Sequence, residues 1–66
     1  MTKDEAIAAM LQGKKITHAL FIDGEWVRML DKVQNIYIFE DGTKVAADFF
    51  WKYRSHELWQ DGWEIL

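Results

Sequence analysis

A chain of 66 residues is one domain at most, spanning 1–66, and a domain this small needs dense packing or a partner to be stable. The absence of cysteine excludes a disulfide framework and thiolate metal sites. The net charge of -3, from 8 basic and 11 acidic residues, argues against DNA or RNA as a partner, since both require a basic footprint.

The N-terminus predicts a helix. Thr2 and Glu5 have the spacing of a capping box, and Asp4 and Glu5 suit the positive end of the helix dipole. Ala6, Ile7, Met10 and Leu11 form an apolar stripe, and Gly13 stands where a left-handed residue would end the helix. The segment has neither a basic leader nor a long apolar run, and no run in the chain approaches the ~18 residues of a membrane span. A cytoplasmic protein without a membrane partner is therefore expected.

Strands follow. Alternation predicts them at 15–22, 25–31, 35–40 and 43–46, with a looser connection at 32–34. Asp23-Gly24 and Asp41-Gly42 read as hairpin turns, since both residues tolerate the positive φ that a two-residue turn asks of them. A second short helix is expected from Ala47 or Asp48 to about His56, with Asp48 as a possible cap. On it, Phe49, Phe50 and Tyr53 share the face that closes the core, while Trp51 and Arg54 lie on another with little to cover them. Asp61-Gly62 leads into a last strand at 63–66. The fold class is α+β: a small antiparallel sheet of four to five strands, an N-terminal helix, and a short second helix before the last strand.

The predicted strands are apolar on both faces. Ile36 and Ile38 alternate with Tyr37 and Phe39, and Trp26 and Leu30 with Val27 and Met29. A half-solvated sheet alternates apolar with polar residues. Two short helices cover one side of such a sheet, so the other is expected to meet a second subunit or a ligand. The alternative is a strongly curled sheet that wraps its own second face.

Enzyme signals are absent, and no cofactor or metal is expected. Ser55-His56 are neighbours in sequence, which does not place a base behind a nucleophile, and the glycines belong to turns instead of a phosphate-cradling loop. Several side chains can be read either way. His18 falls in register with Ile16, Leu20 and Ile22, as a satisfied core residue or as a hydrogen-bonding group in a pocket. Arg28 and Arg54, the only arginines, are each a surface ion pair or a bidentate anion ligand. The tryptophans fill the core or stack on a planar ligand. Aromatics interleaved with arginine, at low net charge, suit one small nucleotide better than a nucleic-acid strand.

Both ends of the chain carry a family likeness. The helix Glu5-Ala6-Ile7-Ala8-Ala9-Met10-Leu11 leads into Gly13-Lys14-Lys15-Ile16-Thr17-His18, and the chain closes on Gly62-Trp63-Glu64-Ile65-Leu66, with an Asp-Gly turn and a short helix between. In these features it resembles the Thoeris anti-defence phage proteins, small sponges that sequester immune nucleotide signals. The resemblance implies a non-enzymatic homo-oligomer in the cytoplasm of a phage's host. It would bind a cyclic or ADP-ribose-derived nucleotide, without cleaving it, in pockets between subunits. Carried onto this sequence, His18 and Phe21 would sit at the pocket edge, Trp26 or Trp51 would stack on a base, and Arg28 or Arg54 would hold phosphate. The competing expectation is a small phage-type inhibitor or adaptor that binds a host protein through exposed aromatic hot spots.

Overall fold

The structure, a computed structural model, describes every residue from Met1 to Leu66. Helix α1 covers Lys3–Leu11, strand β1 Ile16–His18, β2 Val27–Asp31, β3 Ile36–Phe39 and β4 Lys44–Ala46. Helix α2 covers Ala47–Lys52, a 3-10 turn Glu57–Trp59, and strand β5 Trp63–Ile65. The strands form one antiparallel sheet in the order β4-β3-β2-β1-β5, so the expected α+β fold is the observed one.

Helix α1 is built as its sequence dictates. Thr2 Oγ1 accepts the Glu5 N–H at 3.2 Å, and Glu5 accepts the Thr2 N–H at 2.8 Å, completing the capping box. At the other end Gly13 takes φ 83°, donating to Met10 O while Lys14 donates to Ala9 O, the paired bonds of a Schellman ending. The buried stripe is Ala6, Ala9 and Met10, while Leu11 is exposed. The helix therefore sits slightly rotated from the expected face, with small alanines letting it approach the sheet.

Residues directly paired across an antiparallel sheet share a face. The inner face is thus Ile65–Ile16–Val27–Phe39, Trp63–His18 and Met29–Tyr37–Val45. Both helices cover this side: Ala6, Ala9 and Met10 of α1 and Ala47 and Phe50 of α2 join Ile16, Val27, Met29, Tyr37 and Trp63 in one buried cluster.

Three expectations change. First, β1 ends at His18 and does not reach Ile22. His18 Nδ1 accepts the Leu20 N–H at 2.9 Å and His18 O accepts the Phe21 N–H at 3.0 Å, so the chain turns there. Leu20 and Ile22 are consequently exposed. The other strands are also trimmed at their ends, β2 beginning at Val27 rather than Glu25. Second, the aspartates of the Asp-Gly turns keep negative φ, and only the glycines are left-handed. Around Gly42 this gives a turn closed by Gly42 N–H to Phe39 O, then Phe39 N–H to Thr43 O, with Asp41 Oδ1 accepting from Thr43 N. That is a three-residue hairpin loop, not a two-residue one.

Third, α2 ends at Lys52 and its faces differ from expectation. Ala46, without a side-chain bond, caps it in place of Asp48. Because α2 continues directly from β4, Ala47 is pinned at its base and is buried. The helical repeat then turns Phe50, Trp51 and Arg54 inward, and leaves Phe49 and Tyr53 stacked on each other outside at 4.8 Å.

Candidate functional site

The six residues singled out from the sequence separate into two groups on opposite sides of the sheet. His18, Phe21, Trp51 and Arg54 belong to the helix-covered side. Trp26 and Arg28, by strand alternation, face the side that neither helix covers.

On the covered side, His18 is buried between Trp59 and Trp63, with ring centroids at 4.5 and 4.6 Å. Its Nε2 donates to Asp61 O at 2.6 Å while Nδ1 accepts from Leu20, which fixes the neutral imidazole with its hydrogen on Nε2. Both nitrogens are engaged within the chain. Phe21 packs edge-on to Trp63 at 5.6 Å. Trp51 Nε1 donates to the Tyr37 hydroxyl at 2.9 Å, and its ring meets Phe50 and Trp63.

Arg54 lies over Phe50, its guanidinium carbon 4.0 Å from the ring centroid, with Trp59 and Phe21 at 5.2 and 5.8 Å. Nη1 donates to Phe50 O at 3.2 Å, and buried Nε faces no acceptor. This burial lowers the guanidinium's pKa from its ordinary value, opposed by the Glu25 carboxylate. The cation is held by aromatic faces. The sequence signal for this cluster was the aromatic–arginine interleaving; Trp59 joins it through a 3-10 turn that the sequence reading did not give and that His56 caps by accepting from Leu58 N.

The uncovered side presents rows across the strands. Arg28, Ile38 and Lys44 are cross-strand neighbours in one row. In the next, Ile36 pairs with Ala46 on one side and with Asp31 on the other, past an irregularity that brings Leu30 alongside. Trp26 lies on the far side of Arg28, and Lys15 Nζ stands 4.5 Å from its ring centroid. Trp26, Ile36 and Ile38 are half-buried by their own neighbours, so the sheet protects part of its second face without a partner. Arg28 Nη1 donates to Met29 O at 3.3 Å. The one ion pair in the chain joins the Met1 amine to Asp61, so Arg28, Lys15 and Lys44 all have no carboxylate within ion-pair distance.

Beside these rows, at the β4 margin, lies an open groove of about 670 Å³ floored by Leu30, Ile36 and Ala46, with Val45 in its lining and Lys32 and Lys44 at its rim. Sequence alternation gave the strands but not this concavity, which depends on the irregular pairing after Met29. No group of acidic, histidine or cysteine side chains is placed to hold a metal. No helix is long and apolar enough to cross a membrane.

Comparison with protein-family models, curated proteins and solved structures finds no match.

Proposed function

We propose that the chain is a non-enzymatic binding protein that sequesters a small nucleotide signal, cyclic or ADP-ribose-derived, on the uncovered face of its sheet. The observation that carries this reading is the adjacency of Trp26 and Arg28 on that face, with Lys15 and Lys44 nearby and no carboxylate paired to any of the three cations. Trp26 offers a stacking plane for a base, and Arg28 offers a fork for phosphate. Pairing this face between two copies would enclose the ligand, in keeping with the family resemblance, which would imply a phage anti-defence role. On this reading His18, Phe21, Trp51 and Arg54 shape the fold behind the sheet and do not touch the ligand.

Calorimetric titration against cyclic dinucleotides and cyclic ADP-ribose isomers tests it. Binding to one of them, lost in Trp26→Ala and Arg28→Ala but kept in Phe49→Ser, is the expected result. Silence across the panel removes the proposal. The second reading, an inhibitor or adaptor acting on a host protein, is favoured by the exposed Phe49–Tyr53 pair with Lys52 over Tyr53. It predicts that Phe49→Ser, and not Trp26→Ala, abolishes capture of a single stoichiometric partner.

A further inference from the structure

The two edges of the sheet are treated differently. On β5, Trp63 points its N–H and C=O outward, and Met1 meets both, donating to Trp63 O at 2.8 Å and accepting from Trp63 N at 3.2 Å. Nothing does this for β4. Phe39 N–H bonds to Thr43 O and Ala47 N–H to Asn35 O, so by the alternation of antiparallel bonding Val45 faces β3, while Lys44 and Ala46 face away. The Lys44 N–H and C=O and the Ala46 N–H therefore point to open space along an edge next to the groove.

We propose that the β4 edge and its groove form a docking site for an extended acidic peptide segment, which adds a sixth strand to the sheet. The outward backbone groups call for a partner in extended conformation. The apolar floor of Leu30, Ile36 and Ala46 calls for an apolar side chain. The rim sets the charge. Lys32 and Lys44 are unpaired, and the one acid there, Asp31, is tied to its own turn, with Oδ1 accepting from Val33 N at 2.9 Å and Gln34 N at 3.1 Å. A partner strand opposite Lys44 then places an acidic residue on the lysine's face, with an apolar residue two positions away over the groove. A second copy fits less well. Antiparallel self-pairing about Val45 brings the two Lys44 side chains together on one face, the arrangement by which edge lysines discourage self-association. This site uses neither Trp26 nor Arg28, though it shares Lys44 with their face, and it stands without the nucleotide reading.

The test uses the full chain, isotope-labelled for NMR, and the blocked peptide Glu-Thr-Ile-Thr-Glu, with Lys-Thr-Ile-Thr-Lys as its charge-reversed counterpart. The acidic peptide should shift the Lys44 and Ala46 amides and slow their solvent exchange, and the basic one should bind at least about tenfold more weakly. Ala46→Pro removes the outward N–H at a position whose φ of -64° already suits proline, and should weaken the acidic peptide about fivefold or more. Equal binding of the two peptides overturns the proposal, as does a saturating acidic peptide that leaves both amides unprotected. Protection that grows with protein concentration alone assigns the edge to a second copy and also overturns it. If Ala46→Pro does not fold, amide protection in the unaltered chain decides.

Discussion

His18 Nε2 donates to the carbonyl of Asp61 at 2.6 Å, tying the end of β1 to the turn that starts β5, 43 positions later in the sequence. With Nδ1 occupied by the Leu20 N–H, this one ring closes two turns and fills the space between two tryptophans. His18→Ala leaves a cavity and two unpaired backbone groups, and should cost about 2–4 kcal/mol in urea unfolding. An effect below about 1 kcal/mol would show that the ring is not a structural tie.

Gly62 depends on the same ring. A Cβ there would stand 3.1 Å from His18 Nε2, on a backbone with φ 89°, whereas a Cβ on Gly24 at φ 82° meets nothing. Gly24→Ala should therefore show backbone strain alone, about 1 kcal/mol, and Gly62→Ala clearly more. Equal losses in melting temperature would contradict this account of the His18 contact.

The Trp51–Tyr37 hydrogen bond joins α2 to β3. Trp51→Phe and Tyr37→Phe should each destabilise, and a double-mutant cycle should give a coupling of about 1 kcal/mol. A coupling indistinguishable from zero would mean the two groups do not bond in solution.

Tyr37 also predicts an alkaline limit. Burial raises the pKa of its phenol, the Trp51 N–H opposes this, and the Asp48 carboxylate adds to it. The folded state thus holds this proton more tightly than the unfolded chain does. Its contribution is full below the unfolded pKa of about 10 and is lost as pH rises through the higher folded value. Tyr37→Phe should flatten the fall in stability above that pH. An unchanged alkaline slope in the variant would assign the fall to other groups.

The orientation of α2 is open to a direct comparison. Phe50→Ala should cost about 3–5 kcal/mol, while Phe49→Ser and Tyr53→Ser should stay within about 0.5 kcal/mol of the parent. A large loss at Phe49 would instead support the face expected from the sequence.

Local chemistry was legible wherever it is decided locally. The capping box of Thr2 and Glu5, the left-handed Gly13, and the alternation of β2 and β3 all depend on groups within a few residues of each other. The aromatic–arginine interleaving marked the segment that carries Trp51 and Arg54, and Arg54 does lie over Phe50 with Trp59 and Phe21 near it. It could not separate them from Trp26 and Arg28. Which strand face a residue occupies is a matter of alternation, but which face the helices cover is not.

Amino-acid order alone determined the elements, their sequence along the chain and the α+β class, because caps, turns and apolar alternation act over short range. Tertiary structure decided the rest. It turned Phe50 rather than Phe49 inward by fixing Ala47 against the sheet, ended β1 by engaging both nitrogens of His18, and left the outer edge of β4 unpaired while Met1 met Trp63 of β5. Each of these depends on which backbone groups and ring faces remain unsatisfied once distant segments meet, and a linear pattern carries no record of that.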